Sequence, residues 1–248
     1  CFEEFADRVA ELVEKHVNIN RLLELTKPVA TAVVPISAGR HIYKREPSFP
    51  IAVACDPAFN FVYEANIRYL HHLGEVTYFS PLADTSLPDA GFVYLPGGYP
   101  ELYLAALSAN RQMLQSIRRY VESGGKLLAE CGGMMYLCDE IRDKNGYVYP
   151  MAGVLHQSAT MENMKLRLGY RTLLYNETRL KGHEFHYSRL VEQQNPLPSC
   201  AVAYTAKGVE TDTPLYHYKN VWAGYTHLYW ADPVGNEWFT KFVIDGNT

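Results

Sequence analysis

Residues 126–137, KLLAECGGMMYL, carry an apolar run into Glu130 and Cys131, and a Gly132-Gly133 pair then opens a second apolar run. The first run reads as a strand and the second as a helix, so Cys131 stands on a strand-to-helix corner. A nucleophile on such a corner is exposed on a strained backbone, and the amides of the following helix favour a thiolate. The opposing reading is simple packing, because free cysteine is among the most buried residue types. A second pair, Gly97-Gly98, followed by Tyr99, ends the apolar stretch in VYLPGGYPE, residues 93–101. If both stretches are parallel strands, both pairs lie at carboxyl ends, where open sheets bind ligands. Backbone amides near Gly97, Gly98 and Gly132 would then suit the oxyanion of an acyl-transfer intermediate.

A thiol nucleophile needs a base, and nine histidines compete for that role. His71 and His72 fall late in a helical stretch, which fits capping or solvation. His227 lies in WAGYTHLYW, an apolar and aromatic segment, while His183 and His186 flank Glu184 in KGHEFHYSR. The residues alone leave these three open. Positions three apart on a strand face opposite sides and no third ligand is evident, so the H-x-x-H spacing argues against a metal site. Cys55 and Cys138 have no comparable context and are assigned to the core.

These residues need a scaffold, and the pattern from residue 51 supplies one. IAVAC, EVTYFS, GFVYLP and KLLAEC are short apolar runs, with helical segments YEANIRYLHHLG and NRQMLQSIRRYVESGG between them. This predicts an α/β fold, doubly wound around a mostly parallel sheet. The alternating runs LRLGYRTLLY and AVAYTAKG predict antiparallel strands added to that sheet, and NEWFTKFVID predicts a closing helix. Upstream, Phe5, Val9, Leu12 and Val13 recur at helical spacing, with a short second helix after them. SAGRHIYKREPSFP reads as a connector.

Composition narrows the function classes. At 248 residues, 48% hydrophobic and 20% charged, the chain is an ordinary globular one. A net charge of −4 gives no general attraction for nucleic acid or an anionic membrane. No apolar run approaches the roughly 18 residues of a membrane span. Five scattered cysteines fit neither a disulfide framework nor a zinc pattern, which points to reduced thiols and a cytoplasmic setting. The chain begins with Cys1, and a piece of a longer protein is expected.

YLPGGYPELY, LLAECGGMMYL, GHEFHYS and GYTHLYW, in that order, resemble the glutaminase domain of the cobyrinic acid a,c-diamide synthase family. Its D-x-A-F-x-F-x-Y-x-x-N opening is matched at Asp56, Ala58, Phe59, Phe61, Tyr63 and Asn66, and the likeness runs to the end of the chain. The resemblance implies a class I glutamine amidotransferase fold, with glutamine as substrate, Cys131 as nucleophile and His227 as base. Many class I enzymes place a Glu two residues after that His. Tyr229 stands there in this chain, as the family's own lack of the Glu would allow, and Glu184 is expected to orient His227 instead. The competing expectation for Glu184 is an edge-strand carboxylate paired with Arg189 or Lys181.

The resemblance also implies an N-terminal synthetase domain that uses ATP and Mg2+ on a corrinoid. No G-x-x-x-x-G-K-[ST] occurs here, so no cofactor is expected in this portion. Residues 1–28 are expected to be the helical tail of that domain, 29–48 a linker and 49–248 the glutaminase domain. The chain would then hydrolyse glutamine through a Cys thioester and supply ammonia for amidation of corrin acetate groups. The alternatives are the glutaminase half of a related tetrapyrrole or cobyric acid amidotransferase, or a non-catalytic interaction domain on the same scaffold. Oligomeric state stays open.

Overall fold

The computed structural model describes residues 2–26 and 49–245, and the chain divides into two units, Cys1–Arg45 and Glu46–Thr248. In the first, α1 (Phe2–His16) and α2 (Ile19–Leu25) realise the expected pair of helices, and Asn18 caps α2 by accepting from the Arg21 N–H at 3.0 Å. The expected linker, residues 29–48, lies outside the described residues.

The second unit begins with β1 (Phe49–Ala54), α3 (Glu64–Leu73), β2 (Gly74–Phe79), β3 (Phe92–Leu95), α4 (Leu104–Ala109), α5 (Arg111–Glu122), β4 (Lys126–Glu130) and α6 (Gly132–Leu137). Short strands β5 (Glu140–Arg142), β6 (Val148–Pro150) and β7 (Ser158–Thr160) follow. Next come the long hairpin of β8 (Arg167–Tyr175) and β9 (Thr178–His186), then β10 (Arg189–Leu190), β11 (Val202–Thr205) and β12 (Glu210–Thr211). The unit ends with β13 (Leu215–Tyr218), β14 (Val221–Gly224), β15 (His227–Tyr229) and α7 (Pro233–Thr240), whose N-cap Asp232 accepts from the Gly235 N–H.

The central sheet has the order β13-β14-β4-β3-β1-β2, parallel except for the β13–β14 pair. Successive strand residues divide between two cores, as a period of two demands. Ala52, Val93, Leu127 and Ala129 meet Met113, Leu114 and Ile117 of α5 on one face. Ile51, Val53, Phe92 and Leu128 meet Ile67 of α3 with Trp238 and Phe239 of α7 on the other. Helices therefore cover both faces, which is why these strands read as unbroken apolar runs.

The antiparallel runs expected to extend this sheet form one of their own, β12-β11-β8-β9-β15. A strand added to a sheet covered on both faces must be apolar on both sides. β8 and β9 bury only one, with Leu173 and Leu180 joining the second core and Leu168 and Tyr170 exposed. Cys55 corrects another expectation. It is exposed just beyond the carboxyl end of β1, whereas Cys138 is buried as expected.

Candidate active site

Four carboxyl ends of the central sheet converge. β1 runs on to Phe61, β3 to Gly97 and Gly98, β4 to Cys131, and β14 to His227 at the start of β15. Phe61, Gly98, Tyr99, Cys131, His183, Phe185 and His227 line one cavity of about 270 Å³.

Cys131 is the hinge between β4 and α6. Its backbone sits at φ 48° and ψ −105°, a strained conformation for a residue with a side chain, and its N–H donates to Gly224 O at 2.7 Å. The side chain is thereby turned out of the strand register towards the cavity, with Sγ 3.8 Å from Phe185 O. The two glycine turns abut, since a Cβ on Gly132 would lie 3.2 Å from Gly98 N. Gly98 has φ 156°, and a Cβ there would come within 2.1 Å of Ala58 O, so this turn admits only glycine. Tyr99 lines the cavity, but its N–H is committed to Ala58 O at 3.0 Å.

His227 is set by β15, which pairs antiparallel with β9 so that His227 stands opposite His183. The two imidazoles stack at 5.0 Å and 23°, and Phe61 packs on His227 at 4.5 Å. The Tyr63 hydroxyl hydrogen-bonds with His183 Nδ1 at 2.7 Å. Gly97 makes room for the imidazole, because a Cβ there would fall 2.1 Å from His227 Cε1. Asn66 fixes the rest of β15 by donating to Leu228 O at 2.8 Å and accepting from the Trp230 N–H at 3.2 Å.

Burial dominates the electrostatics. It pushes the Cys131 thiol up to about 12, with help from the Glu101 charge, against an opposing effect of the Gly132 N–H. It pulls His227 down to about 3, aided by His183 and His186. The resting pair is therefore a neutral thiol and a neutral imidazole. An imidazole in that state has the free lone pair a base needs.

The strand also separates the candidates. Tyr63, Phe61 and His227 surround His183, while Glu184 and His186 point to the opposite face, as alternation requires. Glu184 does not orient His227. Its carboxylate accepts from His186 Nε2 at 2.7 Å, Thr213 Oγ1 at 2.8 Å and Arg171 Nε at 2.5 Å. Burial pushes that carboxyl up, but these partners hold it below its ordinary value. Neither Arg189 nor Lys181 supplies its partner; Lys181 faces Asp232 instead. Among the described residues no three His, Cys, Asp or Glu side chains gather as a metal site.

The sequence reading missed Glu130. It ends an otherwise apolar strand, is 2% exposed, and its Oε2 lies 3.9 Å from His227 Nδ1. The available signal was a charge at a buried strand position next to the thiol.

The architecture is that of the class I glutamine amidotransferases. Among solved structures, the chain is similar to PurLQS from Thermotoga maritima, with TM-score 0.51 and 16% identity over 80% of this chain and 96% of that one. A second structure, described as a glutamine amidotransferase, matches with TM-score 0.50 and 18% identity over 78% and 98%. More narrowly, the chain belongs to the family of CobB/CobQ-like glutamine amidotransferase domains, whose family model matches residues 50–234. It is 37% identical to a cobyrinate a,c-diamide synthase of Picrophilus torridus over 90% of this chain and 49% of that protein. It is 40% identical to a hydrogenobyrinate a,c-diamide synthase of Pseudomonas aeruginosa over 72% and 41%. The chain thus spans about half the length of the curated relatives it matches.

Proposed function

We propose that this chain is the glutaminase portion of a corrinoid a,c-diamide synthase. It would generate ammonia that an ATP- and Mg2+-dependent synthetase portion of the same protein uses to amidate ring acetate groups. The observation that carries the reading is Cys131, on a left-handed backbone between β4 and α6, opening on the same cavity as His227. The names of the relatives supply the substrate class, cobyrinate or hydrogenobyrinate.

The chemistry follows from the groups present. Cys131 Sγ attacks the side-chain amide carbon of glutamine as its proton passes to His227, and the amides of Gly98 and Gly132 stabilise the oxyanion. His227 returns the proton to the departing nitrogen, the C–N bond breaks and ammonia leaves a glutamyl thioester. Water then attacks the thioester carbon with His227 as base, giving glutamate and restoring the thiol. Because burial keeps thiol and imidazole neutral at rest, proton transfer accompanies attack instead of preceding it.

The test is labelling of the natural full-length protein by 6-diazo-5-oxo-norleucine, followed by peptide mass spectrometry. Modification confined to Cys131, blocked by glutamine and slowed in His227→Ala, is expected. An unmodified Cys131 in a protein that is folded and supplied with its other substrates would overturn the reading.

A further inference from the structure

The missing Glu after the catalytic histidine leaves His227 Nδ1 buried and, among the described residues, without a hydrogen-bond partner. The group nearest to answering it comes from the other side of the site. Glu130 ends β4, one residue before Cys131, and its buried carboxylate is held at two points. Tyr94 Oη donates to Oε2 at 2.7 Å, and the Leu228 N–H donates to Oε1 at 3.0 Å. The second bond ties the residue after His227 to the residue before Cys131. Oε2 retains further acceptor capacity and stands 3.9 Å from Nδ1, about 1 Å beyond a charge-assisted hydrogen bond.

We infer that Glu130 is the positioning residue for His227: its carboxylate takes the Nδ1–H, fixes the ring tautomer that presents Nε2 to Cys131, and stabilises the imidazolium as it forms. The inference rests on the glutaminase reading for its chemistry, though the tautomer it specifies does not. Removing a carboxylate from solvent is costly, and an amide could answer the Leu228 N–H through its oxygen and Tyr94 through its NH2, with the Tyr94 hydroxyl turned to accept. A charge is needed only if something at the site becomes positive, and His227 is the group that does so during turnover. Tyr94, Trp230, Tyr63, Cys131 and Leu228 face Glu130 on its other sides, and none of them supplies a cation. His183 faces His227 directly, while His186 and Glu184 act on it from the opposite face of β9, where Arg171 neutralises Glu184.

Glu130→Gln in the full-length protein tests this, because the amide keeps the size and an oxygen acceptor while losing the charge. Glutamine hydrolysis is expected to lose kcat on the order of 100-fold, with KM little changed. Burial pushes the Glu130 carboxyl up to about 7, so wild-type kcat should fall as pH drops through that value; the variant should lack this limb. Nitrogen-15 spectra of labelled histidine, assigned with His227→Asn, should show protonated Nδ1 in the wild type and a shift towards the other tautomer in Glu130→Gln. Wild-type kcat, pH profile and tautomer in a folded Glu130→Gln would overturn the proposal. Should that variant fail to fold, Glu130→Asp serves instead, with an intermediate kcat and a retained acid limb expected and an unchanged kcat counting against it. If Cys131 of the wild type resists labelling, the glutaminase reading falls, and the tautomer comparison still decides the role of Glu130.

Discussion

A thiol pushed to about 12 makes Cys131 a poor nucleophile until substrate arrives. Alkylation by iodoacetamide at pH 7 without glutamine should therefore be slow compared with an unhindered cysteine, and should climb steeply with pH. Rapid alkylation at neutral pH would show that the site stabilises a resting thiolate. Gly97 offers a sharper handle, because the side chain an alanine would meet belongs to His227. Gly97→Ala should lower glutaminase kcat by about 100-fold, the scale of a 1 Å misplacement, and cost roughly 1–3 kcal/mol of stability by overpacking the buried ring. Turnover and circular dichroism on the same sample check both halves. Much of this site was visible as residue types: the thiol, the glycine pairs and the three histidines are local patterns with a chemical meaning. Glu130 was not, because its role depends on the start of β15 returning to the carboxyl end of β4, a contact between residues 98 apart in the chain.

At the scale of elements, β15 is the piece on which the base depends, and its own ladder is short. It has three residues, pairs with β9 on one side, and is otherwise held by Asn66 from α3 and Glu130 from β4. Asn66→Ala would leave Leu228 O and the Trp230 N–H unsatisfied in the core. It should cost roughly 1–3 kcal/mol, read as a lower urea midpoint. Turnover should fall further than that loss alone explains, since His227 begins the strand Asn66 secures. The parallel core was legible because strands covered on both faces are apolar throughout. The separate antiparallel sheet was not, because alternation reports one buried face without saying what lies against it. The same gap explains Cys55, whose sequence neighbours are core residues although the strand ends just before it.

For the whole molecule, two of the buried titratable groups, His227 and Glu130, pull stability in opposite directions with pH. His227 has a folded value of about 3 against 6.5 when exposed, so the unfolded chain binds the extra proton between those values. Stability from this group is complete above about 6.5 and is lost as pH falls towards 3. Glu130, raised from 4.5 to about 7, does the reverse, and its penalty grows as pH rises between those values. Glu130→Gln should thus make the loss of stability on acidification steeper, and His227→Asn should make it shallower, both read from melting temperatures between pH 4 and 8. Matching profiles in wild type and both variants would mean that neither group is held away from its ordinary ionisation.

The hand-over of the chain from β14 to β15 has a mechanical meaning as well. β14 belongs to the central sheet beside β4, whereas β15 belongs to the second sheet, so nucleophile and base ride on two sheets that share one core. Heat that loosens one sheet against the other should separate the working pair before either sheet melts. On a slow temperature ramp, hydrolysis of glutamine should fail some degrees below the loss of far-ultraviolet ellipticity, and should return fully on cooling from that interval.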